Sequence, residues 1–200
     1  MGVEMMRRDL DHLRSNLDRM YDIVARIARK AIESIITWSP IDLEEQIYVT
    51  ESLMDLIEEQ ATLFIARYQP LGPELIESKS IIRVSYDLYR ISRYSREIAS
   101  IVEYVGRKLE VPSVVREASG IVIEMLSLAY KAYRENDKEA REAVLRKDDI
   151  IDSMYSNMLS RLGNESSFST EEVIALLVIR HLERMADHTV YIASHARDSS

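Results

Sequence analysis

Apolar residues recur along this chain in alternating steps of three and four. The first run is Leu10, Leu13, Leu17, Met20, Val24, Ile27 and Ala31. A second is Ile47, Met54, Ile57, Ala61, Phe64 and Tyr68, and a late one is Val178, Leu182, Met185, Ile192 and Ala196. This spacing gathers the apolar side chains on one side of an α-helix and is the pattern of helices packed nearly parallel in a bundle. No useful length alternates with period two, so strands are not expected. Glycine and proline are scarce and fall between the runs, around Ser39-Pro40, Gln69 to Pro73, Val111 to Ser113 and Gly163-Asn164, with a polar break at Glu135-Asn136-Asp137. The breaks leave six long helical segments. Pro40 and Pro73 read as first-turn prolines, and Ser169-Thr170-Glu171-Glu172 as a capping box. Trp38 is expected to close one end of the bundle.

The two halves align. Glu51 and Asp55 map onto Asp148 and Asp152, Leu88 to Ile91 onto Leu182 to Met185, and Ile98-Ala99-Ser100 onto Ile192-Ala193-Ser194. The simplest architecture is all-α, with six long helices forming two tandem antiparallel three-helix bundles over 1–108 and 109–200. The break between them lies at Gly106 to Ser113, across which the third helix runs into the fourth only partly interrupted.

Composition narrows the chemistry. With 46% hydrophobic residues over 200 positions the chain can bury a substantial core. It has no cysteine, which excludes disulfides, iron–sulfur clusters and thiol catalysis, so any metal would be held by oxygen with or without histidine. A net charge of −8 and scattered basic residues argue against nucleic acid as a partner. No stretch is apolar and long enough to span a membrane and the N-terminus lacks a signal-peptide core, so a cytoplasmic protein, peripheral to a membrane at most, is expected. There is no glycine-rich phosphate loop and no nucleophile–base–acid arrangement.

The repeat also carries a carboxylate pattern. Asp148 and Asp152 stand at i and i+4, as do Glu183 and Asp187, and Glu51 and Asp55. The fourth pair is replaced by Tyr89 and Arg93. Carboxylates at this spacing share a helical face and repel by a few tenths of a kcal/mol unless something neutralises them. Two such pairs on adjacent helices could bridge a hard cation. They could equally be solvated, as the similar pair Asp18 and Asp22 illustrates. On a helical wheel Glu51, Asp55, Asp148 and Asp152 flank their apolar stripes while Glu183 and Asp187 lie further away. That placement favours a surface or groove site over a buried one, and the Glu-x-x-His pairs of di-iron enzymes are absent. His188 reads either as a supplementary ligand or as a solvated helix-face residue. The tyrosines of the third and fourth segments (Tyr86, Tyr89, Tyr94, Tyr104, Tyr130 and Tyr133) read as packing residues with wet hydroxyls.

The stretches Val49 to Asp55, Arg67-Tyr68-Gln69-Pro70 and Leu182 to His188 together resemble the PhoU family, regulators of phosphate transport built from two tandem three-helix repeats. The resemblance runs from about residue 7 to 197. It implies carboxylate-held metal ions, divalent or trivalent (Fe, Zn, Mn or Mg), with Asp148, Asp152, Glu183 and Asp187 forming the second-repeat site. Glu51 and Asp55 would be half of a first-repeat site that Tyr89 and Arg93 leave incomplete, because an arginine there can bring the positive charge internally. It also implies a non-enzymatic regulator that docks on phosphate ABC transporter components and a sensor kinase, with a homodimer left open. A carboxylate-bridged metal enzyme or metal store, and a plain helical scaffold, are the other readings.

Overall fold

A computed structural model describes residues 2–164 and 167–196, without the side chains of residues 2, 162 and 163. Six helices account for nearly all of them: α1 (Gly2–Thr37), α2 (Glu44–Tyr68), α3 (Pro73–Val105), α4 (Ser113–Glu135), α5 (Lys138–Asn164) and α6 (Thr170–Ser194). No strand occurs among the described residues.

The apolar steps form the core as the sequence predicts. Leu10, Leu13, Leu17, Met20, Val24, Ile27 and Ala31 are all buried along one side of α1, and Ile57, Ala61 and Phe64 along α2. Met54 and Tyr68 pack against this core from its edge rather than inside it. Truncating a side chain such as Leu17 to alanine would cost about 2–5 kcal/mol.

The helix ends follow from local chemistry. After α1, Trp38 adopts φ 55° and is buried. The Ser39 amide then donates to the Ser34 carbonyl (3.0 Å), and the Ser34 hydroxyl donates to the Ser39 carbonyl (2.6 Å). Pro40 is not a first-turn proline, because α2 starts four residues later, where the Asp42 carboxylate accepts the Glu44 amide at 2.9 Å. Pro73 does open α3, directly after Gly72. Gly106 ends α3 in the left-handed conformation (φ 65°), which glycine adopts without strain. The break before α4 is therefore complete, not partial. Asn136 ends α4 in the same left-handed way (φ 58°), and the Asp137 carboxylate accepts the Ala140 amide at 2.9 Å as α5 begins. The capping box is present at α6: Ser169 Oγ accepts the Glu172 amide (3.2 Å), and Glu172 accepts the Ser169 amide (3.0 Å).

Helices α1–α3 pack on one another, as do α4–α6, and the two triplets join along α3–α6 and α1–α4. On α3 the residues facing neighbours at every seventh position are small. Ser78, Ser85 and Ser92 are fully buried and Ala99 nearly so. Each serine hydroxyl donates back to its own helix, to Leu75, Ile82 and Tyr89 carbonyls at 2.7–3.0 Å, so burial leaves none unpartnered and neighbouring backbones approach closely. The α1–α4 junction is polar and aromatic. Tyr21 stacks on Tyr130 with centroids 3.9 Å apart, and Tyr130 donates to Asp18 at 2.6 Å. Arg134 completes that ion pair at 2.9 Å. Asp18 is thus a tie between the repeats, not a solvated acid.

Candidate metal centre

The second repeat sets the four predicted carboxylates on two neighbouring helices, near enough for the other three to act electrostatically on Asp148. Helices α5 and α6 are neighbours whose register is marked by Arg161 with Glu172 (2.6 Å) and by the Arg180 guanidinium over the Tyr155 ring (5.1 Å). Carried along the pair, that register sets Asp152 level with Glu183 and Asp148 level with Asp187. Electrostatics reflect the gathering. The Asp148 carboxyl is pushed up to about 6, first by burial and then by the charges of Asp152, Asp187, Asp149 and Glu183. Its Oδ1 is buried without a hydrogen-bond partner. Glu183 is also raised, by burial and then by Asp187, against the opposing pull of Arg180 and Arg184.

Glu183 is only 9% exposed, which corrects the wheel placement away from the apolar stripe. Helix α6 is covered by α3, α4 and α5 at once, so it buries more than one stripe. Asp152 is exposed, and Asp187 is intermediate.

Two arginines complete the group. Arg180 donates to Glu183 at 2.7 Å, and Arg184 donates to Asp187 at 3.0 Å. Both stand three residues before their partners, a spacing visible in the sequence but not used there. As the side chains lie, no three His, Cys, Asp or Glu residues among those described stand close enough to hold a metal ion. The donor set is nevertheless oxygen-only and suits a hard cation. A buried carboxylate oxygen lacking any donor marks where positive charge is missing.

The corresponding place in the first repeat is built differently. Tyr89 is buried like Glu183 (8% exposed) and its hydroxyl donates to Glu51 Oε1 at 3.0 Å. Arg93 Nη1 donates to that same hydroxyl at 3.1 Å. The Arg93 pKa is held up by the Tyr89 hydrogen bond first, with Glu97 and Glu51 adding to it. Asp55 stands exposed beyond the relay. Half of this set does not fit a metal.

His188 is neither solvated nor beside the carboxylates as a ligand. It is largely enclosed and its Nδ1 lies 2.8 Å from the Asp87 carboxylate of α3, across the seam between repeats. Tyr94 packs against both His188 (5.8 Å) and His181 (6.2 Å). Of the other tyrosines, Tyr86 and Tyr104 are exposed rather than packed (48% and 82%).

Comparison with known proteins gives a consistent picture. A family model described as "PhoU domain" matches residues 17–102 and again 115–196. The chain is 29% identical over 193 residues to the "Phosphate-specific transport system accessory protein PhoU homolog 1" of Thermotoga maritima, covering 90% of this chain and 82% of that protein. It is 25% identical over 201 residues to the protein of the same description from Methanothermobacter thermautotrophicus, covering 94% and 91%. Its fold matches the crystal structure of PhoU from Pseudomonas aeruginosa with a TM-score of 0.86 at 22% identity, over 95% of this chain and 96% of that one.

Proposed function

The chain belongs to the PhoU family, and from that premise we propose that it is a non-enzymatic regulator of phosphate uptake or phosphate-responsive signalling. It acts in the cytoplasm by docking a helical face onto components of a phosphate ABC transporter and onto a sensor kinase. Residues 1–108 and 109–200 are its two repeats. The observation that carries this reading is the family match in both halves of the chain, shared with relatives named as accessory proteins of the phosphate-specific transport system.

The second-repeat carboxylates Asp148, Asp152, Glu183 and Asp187 belong to the proposed docking face and would hold a divalent or trivalent cation there. Support comes from the unpartnered Asp148 oxygen and from the mutual repulsion of the group. When bound, the cation supplies the positive charge that Arg180 and Arg184 now provide only to Glu183 and Asp187. The chain's own residues set the face: Arg180 and Arg184 orient the α6 carboxylates, and the partly buried Asp148 anchors the α5 side. Glu51 and Asp55 contribute acidity in the first repeat without a full ligand set.

The test is co-purification of the chain with the transporter ATPase subunit and with the kinase's soluble part, each with and without phosphate. Association that changes with phosphate is expected. No association with either partner in either state would overturn the reading.

A further inference from the structure

Several arginines and lysines here reach a carboxylate on a neighbouring helix. Arg14 pairs with Glu77 (2.6 Å), Arg134 with Asp18, Arg67 with Asp9 (3.3 Å), and Lys147 with Glu124 (2.6 Å). Lys79 and Arg83 depart from this. They stand one turn apart on α3, both exposed, and among the described residues neither forms an ion pair. Like charges at this spacing repel by a few tenths of a kcal/mol. In a chain of net charge −8, that leaves two neighbouring cations without a direct ion-pair partner among the described residues.

The two cations face the end of α6. With Ile76, Ser80, Ser194 and His195 they line a cavity of about 320 Å³, and among the described residues no carboxylate lines it. His195 is half-buried. Burial holds its imidazole below the ordinary histidine range; Asp87 pulls the other way and Arg83 adds to the lowering. An anion here would meet a guanidinium and an ammonium, with a neutral imidazole N–H beside them as a further donor. A guanidinium suits oxyanions in particular, because its planar donors match two oxygens at once.

A larger cavity of about 690 Å³ adjoins it, sharing Arg83, Ser194 and His195. It is flanked by Tyr86 and Tyr191, 48% and 51% exposed, with Met54 and Ile82 also lining it and the Glu58 carboxylate on its wall, so the oxyanion belongs at the Lys79 and Arg83 end and only its organic group in this cavity. Asp87 at its wall is already engaged by His188. Aromatic side chains left half-exposed beside a cationic site suit a flat organic group attached to the anion.

We propose that this cleft between α3 and α6 binds a phosphate-type oxyanion, either free or as the monoester of a flat organic group. The site lies outside the acidic group of the second repeat and does not depend on any metal there.

Calorimetric titration of the EDTA-treated full chain with inorganic phosphate and with AMP, and with adenosine as the uncharged control, tests this. Saturable binding of phosphate, AMP or both is expected, with none for adenosine. Arg83→Ala should weaken it about tenfold or more, whereas Lys108→Ala, an equal charge change at an exposed lysine outside the cleft, should alter it by less than about twofold. Tyr191→Ala should weaken AMP and leave phosphate unchanged. Tighter AMP than phosphate identifies the monoester as the ligand, and the reverse identifies the free ion. Absence of saturable binding, an equal loss in Lys108→Ala, or a loss in Asp148→Ala with none in Arg83→Ala would each overturn the proposal.

Discussion

The two repeats handle the same acidic helix pair in opposite ways. In the second, the charges of Asp152, Asp187 and Glu183 act on a partly buried Asp148 whose Oδ1 has no donor, and two arginines neutralise only the α6 half. In the first, Tyr89 and Arg93 form a relay that ends on Glu51, and Asp55 stands exposed beyond it. One copy gathers like charges around a partly buried carboxylate, and the other answers one carboxylate with an internal cation. A duplicated fold keeps its packing while its surface chemistry diverges, because packing depends on the apolar steps and chemistry on a few residues beside them.

Metal content should break or sharpen this contrast most strongly. Asp148→Ala/Asp187→Ala protein is expected to bind metal at least as poorly as the ~10–100-fold loss that follows removal of outer supporting groups. Undiminished occupancy by elemental analysis would remove the second-repeat site from consideration. The converse change, Tyr89→Glu/Arg93→Asp, gives the first repeat a full carboxylate set and should raise metal stoichiometry above that of the parent chain. Unchanged stoichiometry would mean that the relay is not what keeps metal out.

A smaller effect concerns pH. Because the Asp148 carboxyl is raised to about 6 in the folded chain, it is destabilising when charged. That penalty is complete above pH 6 and disappears as pH falls through the ordinary carboxylate range. In metal-free protein Asp148→Asn should therefore raise Tm at pH 7.5, by about 1 kcal/mol of stability after allowance for partial exposure. The gain over the parent should shrink towards zero near pH 4. A gain independent of pH would point to packing instead. The smallest effect is expected for Arg93→Ala. Its charge is exposed, so chemical denaturation should show a loss of no more than about 1 kcal/mol.

The fold was readable because long helices repeat their apolar steps many times and the rare glycines and prolines mark their ends. Pro73 acts as read and Gly106 breaks the chain more fully than expected, whereas Pro40 does not act as read, since Asp42 rather than proline starts α2. The carboxylates were also readable as a set. Their surroundings were not. Glu183 looked peripheral because a helical wheel assumes one buried face, and α6 has three neighbours. The Asp87–His188 pair joins residues one hundred and one positions apart, a separation no local spacing reveals. The cleft at Lys79 and Arg83 has no local signature in the sequence, because a basic pair one turn apart is common and only the fold sets it against the end of α6.

The seam itself has a consequence for how the repeats evolve. Asp87 aligns with His181, and Tyr94 with His188, so the residues meeting across the α3–α6 contact are not copies of one another. Two identical chains meeting on a two-fold axis would need a self-complementary surface. Here the short connection through Gly106 to Pro112 tethers one half to the other, making their association intramolecular at a high effective concentration. Each half is thereby released from matching itself, and a hetero-pair such as Asp87 with His188 can become fixed without a second gene.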